Sequence, residues 1–318
     1  MKLDALATPP ASSLSGRFFL VSYLPTYAAV CYLLVLLWSG APAKPPSFSL
    51  AWRTAEKLSV GALLLILFTV ALVALILHPL QLPLVRVLEG YWPRWLTPLV
   101  RYGHARQAAR LGRHRRAATL PPGEPPGPAQ LQRAGVATTE LRTRFPDRPE
   151  LLRPTALGNV LASMEERAGT AYGWDTTVVW PRLYPLLGEN VRAIVDDRRT
   201  LLDISCRLTV TAAVSAAASA ALLAATGWWL LLALVPLALA RVAYHAAVRA
   251  AISYGESVRV AFDLHRFDLY PALRLDPPAN LAEERSVNRE LATFWRQGRD
   301  FGLPYVRPAE TEERPAVP

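Results

Sequence analysis

The sequence is poor in the residues on which common catalytic and metal-binding patterns rest. Its 318 residues include two cysteines and five histidines, and lysine occurs only as Lys2, Lys44 and Lys57. It contains no Walker loop, no G-x-S-x-G elbow, no H-E-x-x-H helix and no C-x-x-C pair. Cys31 and Cys206 have no ligand-like spacing, so we expect both to be buried small hydrophobes. These absences favour a non-enzymatic protein, and we predict no cofactor and no metal.

Charge is also missing from several long stretches. Residues 208–240 carry none, and the run is broken only by Thr226-Gly227-Trp228-Trp229. As one helix this run would be about 50 Å long, whereas the hydrocarbon core of a bilayer is about 30 Å thick. Two spans joined by a tight turn therefore fit better than one. Residues 18–38 and 58–77 are uncharged as well, and each has about the length of one span. The sequence thus predicts an all-α membrane protein with about four transmembrane helices in two hairpins, at 18–39, 58–78, 207–226 and 228–247.

The first run admits a second interpretation. Ala41-Pro42-Ala43 has the small-x-small pattern of a signal-peptide cleavage site. The preceding apolar stretch is longer than a usual signal-peptide core, and its N-terminal flank is barely basic. We therefore favour an uncleaved anchor.

Basic residues predict the orientation. The stretch 101–116 is dense in arginine, and the positive-inside rule assigns such a flank to the cytoplasm. With four spans, both termini are then cytoplasmic, and the more weakly basic loop 40–57 lies outside. We expect contacts with anionic lipid headgroups from Arg101, Arg106, Arg110 and Arg113.

The net charge of +10 does not require nucleic acid as a partner. Lipid headgroups account for the basic cluster, which also lacks the interleaved aromatics of a base-stacking platform. The preference for arginine over lysine, with abundant alanine and leucine, indicates a bacterium with a GC-rich genome. We therefore predict a multi-pass protein of a bacterial plasma membrane.

Composition and periodicity divide the chain into eight segments. Helices are expected at 155–171, 189–207 and 281–297, with Asp175 capping a further short one. The predicted segments are a flexible arm (1–17), a first transmembrane hairpin (18–78), an interfacial amphipathic segment (79–100), a basic and Pro-rich cytoplasmic linker (101–153), a cytoplasmic helical segment (154–206), a second transmembrane hairpin (207–248), cytoplasmic amphipathic helices (249–300) and a flexible tail (301–318).

Several short strings resemble those of a known group of proteins. They are Pro79-Leu80-Gln81 with Glu89-Gly90-Tyr91-Trp92, Leu157-Gly158-Asn159 through Tyr172-Gly173-Trp174-Asp175 to Trp180-Pro181-Arg182-Leu183, and Ala261-Phe262-Asp263 with Arg266-Phe267-Asp268. Across much of residues 60–275 the chain resembles a family of uncharacterised bacterial multi-pass integral membrane proteins of the actinobacterial type. The resemblance implies an integral membrane architecture, and it implies no activity and no catalytic residues.

The third predicted span carries a face of small residues. Ala212, Ser215, Ala216 and Ser219 recur at a spacing that lets two helices approach closely. The partner helix can belong to the same chain or to a second subunit, and the sequence leaves both open.

Four large aromatic side chains lie close together in the predicted cytoplasmic segment. Tyr172, Trp174, Trp180 and Tyr184 form either a hydrophobic core, a protein interface or a surface packed on the membrane. Core packing is the simplest interpretation, and we keep the four as a candidate interaction surface.

Two sets of ionisable residues have competing interpretations. Asp196, Asp197 and Asp203 suggest an acid–base or metal site, but nearby arginines favour a solvated, salt-bridged helix face. Arg241 and His245 fall near the cytoplasmic end of the fourth predicted span, where snorkelling explains them better than a buried functional site.

The leading functional hypothesis is a membrane component that anchors, scaffolds or regulates partner proteins through its cytoplasmic helical face. The alternative is a subunit of an oligomeric channel or export complex, assembled through the small-residue face. A lipid-directed enzyme using Arg86, Glu89 and His104 is weaker, because these residues lack a nucleophile–base spacing. We expect lipid headgroups together with a protein partner or a homo-oligomer.

Overall fold

The computed structural model describes residues 16–77, 81–120, 126–300, 302, 304 and 305. In these ranges the chain is helical throughout, with short 3-10 turns and no strand. The α-helices are α1 (Gly16–Trp38), α2 (Phe48–Glu56), α3 (Val60–Leu77), α4 (Gln81–Glu89), α5 (Thr97–Ala118), α6 (Pro128–Arg144), α7 (Ala156–Arg167), α8 (Thr176–Leu183), α9 (Glu189–Leu223), α10 (Leu234–His265), α11 (Leu269–Ala272) and α12 (Leu281–Gln297).

Side-chain caps explain where the shorter helices begin. Thr155 accepts a hydrogen bond from the Gly158 N–H at the start of α7, and Asp175 accepts one from the Thr177 N–H at the start of α8. Asn280 accepts from two N–H groups of the first turn of α12, and Gly298 ends that helix in the left-handed conformation. The predicted Asp175 cap and the predicted helix at 281–297 both coincide with the structure.

The longest feature is an antiparallel hairpin of α9 and α10. At 1.5 Å per residue, the 35 residues of α9 extend about 52 Å. The tip contains a 3-10 segment, Gly227–Ala233, so the helix predicted from residue 228 begins only at Leu234. The positive φ of 65° at Gly227 turns the chain there.

The end of α1 and the start of α2 lie at the tip of this hairpin. The Tyr32 hydroxyl donates to the Leu232 carbonyl at 2.9 Å, and Leu36 packs with Leu223. The Phe48 ring lies 5.8 Å from that of Trp229. The ends of α1 and α9 are therefore at the same end of the molecule, and α3 returns from there towards α4.

The apolar helices support a membrane protein. Among the described residues, Glu189–Leu223 and Gly227–Ala272 are long and apolar enough to cross a membrane. A third candidate is α2 with residues 60–72 of α3, a pair bent by 110°. The described apolar part of α1, Pro25–Trp38, is shorter than a span. The structure thus supports two or three spans.

At the other end of the hairpin, shorter helices enclose a hydrophobic core. It contains large side chains from α7, α8, α10, α11 and α12, among them Leu157, Val179, Phe262, Tyr270 and Leu291, all at most 1% exposed. Within this helical body α12 packs against α8 and the 3-10 turn at Thr170–Tyr172.

Three expectations differ from the structure. Residues 101–153, expected to be a linker, contain most of α5 and all of α6, because alanine, leucine and arginine favour helix on both sides of the Pro-rich stretch. Cys31 is exposed whereas Cys206 is buried, since a helix that is apolar all round does not reveal its packed face. The predicted 79–100 segment is divided between α4, a 3-10 turn at Arg94–Leu96 and the start of α5.

Some expectations fall outside the described residues. These are most of the predicted N-terminal arm and C-terminal tail, His78 with Pro79, and the centre of the Pro-rich stretch.

Candidate anion-binding groove

A groove of about 900 Å³ lies on the helical body, between α7 and α12. Its floor is the turn 168–175, and its end wall is the segment 148–153. We call it the arginine groove, because its walls carry Arg148, Arg153, Arg285, Arg289 and Arg296.

Backbone packing fixes the floor of the groove against α12. Gly173 has a φ of +81°, and a Cβ there would lie 2.7 Å from the carbonyl oxygen of Arg285. Only glycine combines this conformation with this approach. The Arg285 side chain then donates from Nε to the Ala171 carbonyl at 2.9 Å.

A polar network holds the adjacent face of α12. The Glu284 carboxylate, 4% exposed, accepts from Arg266 Nε at 2.9 Å. The Asn288 amide accepts from the Tyr270 hydroxyl at 2.6 Å and donates to the Tyr172 carbonyl at 2.7 Å. These bonds fix the rotation of α12 about its axis and thereby aim its arginines into the groove.

Arginine outnumbers acidic side chains in the lining by five to three. Arg148 pairs with Glu166 at 2.8 Å, and Arg296 pairs with Asp175. Arg285 bonds only a neutral carbonyl, and the Arg289 guanidinium has no partner within the described ranges. The groove therefore keeps positive charge that its own carboxylates do not neutralise.

A buried tryptophan also belongs to the lining. Trp174 is 2% exposed, and its indole N–H has no acceptor in the part of the chain that the structure describes. The Trp174 ring stacks on the Trp295 ring with centroids 5.9 Å apart. The Arg182 guanidinium lies over the Trp295 ring, 4.4 Å from its centroid. The Trp174 N–H is sealed from solvent, so it is not a contact point for an anion in the groove.

Two carboxyl groups, Glu165 in the lining of the groove and Glu89 outside it, have raised pKa values. Burial raises the pKa of Glu165, and the nearby Arg153 opposes this shift. Burial also raises the pKa of Glu89 to about 7, Glu165 adds to the increase, and Arg153 and Arg86 oppose it. Glu89 is 3% exposed, and its Oε1 makes no hydrogen bond within the described residues. Because the pKa of Glu165 is raised, falling pH removes its negative charge before that of an exposed glutamate, and the groove becomes more positive.

The four aromatic residues of the candidate interaction surface do not form one surface. Trp174 lines the groove, whereas Trp180 is buried against Phe262. The Tyr172 hydroxyl donates to Asp263 at 2.7 Å. The Tyr184 hydroxyl donates to Asp196 at 2.6 Å, and burial with this bond raises the pKa of Tyr184 to about 12. Core packing thus accounts for the two tryptophans, and polar contacts account for the two tyrosines.

The small-residue face is covered inside the chain. Ala212, Ser215, Ala216 and Ser219 are all buried on α9, which packs along α10 and α1. The two serine hydroxyls donate to carbonyls one turn earlier on their own helix. The close approach expected from these residues is therefore made within one subunit.

The predicted headgroup residues lie on one helix but not in one site. Arg101, Arg106, Arg110 and Arg113 all belong to α5. Arg110 and Arg113 line a second cavity, whereas Arg101 and Arg106 are exposed elsewhere on the helix.

The acidic residues of α9 have structural partners. Asp196 accepts from Tyr184, and Asp203 lies 3.8 Å from Arg199 one turn away. In the described ranges no group of three histidine, cysteine or acidic side chains is arranged to hold a metal ion.

Sequence reasoning missed the arginines of α12. Arg285, Arg289 and Arg296 follow one another at intervals of four and seven residues, which places them on one helix face. That spacing could have been found. The facing Arg148 and Arg153 are more than 130 residues away in sequence, and no local pattern pairs them with α12.

Comparisons with known proteins give no further information on the groove. No protein-family model, no curated protein and no solved structure matches this chain. The family resemblance drawn from the short strings therefore stays a prediction.

Proposed function

We propose that this protein is a non-enzymatic membrane component whose arginine groove binds an acidic segment of a partner protein. The carrying observation is that Arg285 and Arg289 line the groove and lack a neutralising carboxylate within the described residues. Guanidinium groups bind carboxylates in a bidentate manner, and several on one helix face match a run of acidic side chains. Anchoring a partner at the membrane is the function that follows.

The proposal includes four spans with both termini in the cytoplasm of a bacterial cell. The support is the shared location of the α1 end, the start of α2 and the α9–α10 tip, as shown by the Tyr32–Leu232 and Phe48–Trp229 contacts. Four apolar helices, α1, α3, α9 and α10, then alternate in direction. The arginine-rich α5 follows the second of them, at the end that the positive-inside rule assigns to the cytoplasm.

The lining of the groove favours binding over catalysis. Its described residues include threonines, arginines and carboxylates, and no histidine, cysteine or lysine. The channel alternative rested on the small-residue face of α9, which is buried within the chain. We therefore retain the anchoring function as the better supported of the two.

A fluorescent glutamate-rich peptide tests the groove directly. The full-length protein in nanodiscs is titrated with the peptide, and fluorescence anisotropy reports binding. We expect R285Q/R289Q to weaken binding by at least about tenfold, which corresponds to about 1.4 kcal/mol. The matched control R115Q/R116Q removes the same charge from exposed positions on α5 and should bind like wild type.

Two results would contradict the proposal. One is equal loss of affinity in both double variants, which would mean that only net charge matters. The other is preferential binding of a single-stranded oligonucleotide of the same charge, which would point to nucleic acid instead.

A further inference from the structure

A second cavity lies about the middle of α5 and is separate from the arginine groove. It has a volume of about 390 Å³ and is enclosed by α5, α6 and the start of α7. Its polar lining consists of Gln107, Arg110, Arg113, His114, Glu140 and Arg144. We call it the α5 pocket.

The lining of the α5 pocket includes an amide that bonds no other described group. Gln107 is 5% exposed, lines the cavity and makes no side-chain hydrogen bond within the described residues. The amide atoms are not sealed from solvent, so they are available to hydrogen-bond a polar group in the cavity. The amide offers two N–H donors at a site that is otherwise cationic.

The charge of the α5 pocket is strongly positive. Glu140 is the single carboxylate of its described lining, and Glu140 pairs with Arg144. Arg110 and Arg113 have no such partner. Burial lowers the pKa of Arg110, and the neighbouring Arg106 and Arg113 lower it further. A phosphate group is the anion that compensates two guanidinium groups and accepts from an amide at once.

The location of the pocket identifies the source of the phosphate. Ala156 lines the cavity, and the N–H of the next residue, Leu157, donates to the Tyr244 hydroxyl on α10 at 3.2 Å. Arg110 is also close enough to Tyr244 and Arg241 to interact with both electrostatically. In the proposed four-span arrangement, on which this step rests, residues 241–245 are the cytoplasmic end of the last span.

An apolar surface continues from this level towards the tip of the hairpin. Leu237 and Leu234 lie on the same face of α10 as Arg241, one and two turns closer to the tip, and each is 53% exposed. Exposed leucines beside a phosphate pocket match the two parts of a phospholipid, its headgroup and its acyl chain.

We propose that the α5 pocket binds the headgroup phosphate of an anionic phospholipid from the cytoplasmic leaflet. Arg110 and Arg113 contact the phosphate oxygens, and the Gln107 amide donates a further hydrogen bond. His114, held 5.9 Å from the Phe145 ring, closes the cavity on the α6 side. One lipid thereby joins α5 to residues 241–245 of α10 and orients the helical body relative to the membrane.

Native mass spectrometry with added phosphatidylglycerol tests the lipid assignment of the α5 pocket. The detergent-purified full-length protein is titrated with phosphatidylglycerol, and the population with one bound lipid is measured against phosphatidylcholine. We expect one site that is selective for phosphatidylglycerol. R110Q/R113Q should lower the affinity of this site for phosphatidylglycerol by at least about tenfold. R115Q/R116Q, an equal charge change at positions of α5 that do not line the pocket, should retain it.

Q107L keeps the test decisive if the double variant does not fold. The substitution removes the amide without changing the charge or much of the side-chain volume. We expect it to weaken phosphatidylglycerol binding several-fold while the thermal midpoint stays near that of wild type. Retention of the selective site in Q107L and in R110Q/R113Q overturns the proposal, and so does equal loss in R115Q/R116Q.

Inorganic phosphate distinguishes the two sources of the anion. We expect millimolar phosphate to leave phosphatidylglycerol bound, because the acyl chains add contacts that free phosphate lacks. Displacement by phosphate would show a soluble-anion site and overturn the lipid assignment. Failure here leaves the arginine groove untouched, since the glutamate-rich peptide tests that site with different residues.

Discussion

The carbonyl oxygen of Glu89 lies against Gly158, where an added Cβ would come within 2.1 Å of it. This contact packs the end of α4 onto the start of α7. The backbone of α7 cannot approach α4 so closely with any other residue at this position. Beside it, the fully buried Asn159 accepts from the Arg153 N–H at 2.7 Å and donates to the Arg153 and Thr155 carbonyls. The junction thus positions Arg153 at the end of the arginine groove.

G158A should therefore destabilise the protein. The overlap is with backbone atoms, which a rotamer change cannot relieve, so we expect a loss of about 1–3 kcal/mol and a lower thermal midpoint. The nine tryptophans provide the fluorescence signal for the melt. G112A is the matched control, because a Cβ at Gly112 meets nothing within 4 Å. It should be neutral or mildly stabilising, since alanine favours helix. Equal melting of G158A and wild type would show that α4 does not pack on α7 as described.

Glu89 should make stability depend on pH. Its pKa is raised from 4.5 to about 7, so the native state holds the proton more tightly than the unfolded chain. The contribution of Glu89 to stability is then fully present below about pH 4.5 and is lost as the pH rises through 7, by up to about 3 kcal/mol. Glu165, Arg153, Arg86 and Tyr91 are the charged or titratable groups facing it.

E89Q measures this contribution. The variant should melt at a higher temperature than wild type at pH 8 and should flatten the dependence of the midpoint between pH 5 and about 8. Wild type and E89Q melts across that range provide the comparison. Parallel pH profiles for the two proteins would mean that Glu89 is not the titrating group.

The sequence predicted the helical class and several helix ends, because those depend on local chemistry. Asp175 as a cap and the helix at 281–297 follow from residues next to one another in the chain. The uncharged run before Ala240 likewise predicted the α9–α10 hairpin.

The candidate sites were much less predictable. The arginine groove joins 148–153 to 285–297, and the fit depends on Gly173 meeting the Arg285 backbone. Gln107 has no local sequence signal, since its burial comes from α6 and α7 closing over α5. The helices in 101–144 were missed because neighbouring prolines at 121–128 outweighed the helix-forming residues on either side.

The orientation of the chain is testable with single cysteines. Cys31 is replaced by alanine first, since it is exposed, and Cys206 is buried. In intact cells a membrane-impermeant maleimide should label K44C and A225C, which lie near the start of α2 and at the hairpin tip. R115C and T293C should react only after lysis. Labelling of R115C together with K44C in intact cells would contradict the four-span orientation.

The most direct test of partner anchoring is photo-crosslinking from inside the arginine groove in living cells. Thr293 lines that groove between Arg289 and Arg296, and p-benzoylphenylalanine is placed there, with Arg115 as the control position. We predict a crosslink to an acidic segment of one partner protein, identified by mass spectrometry, that is lost in R285Q/R289Q and absent from the control position. A crosslink that persists in R285Q/R289Q, or the absence of any groove-specific crosslink, would contradict the proposal that the arginines of α12 anchor a partner at the membrane.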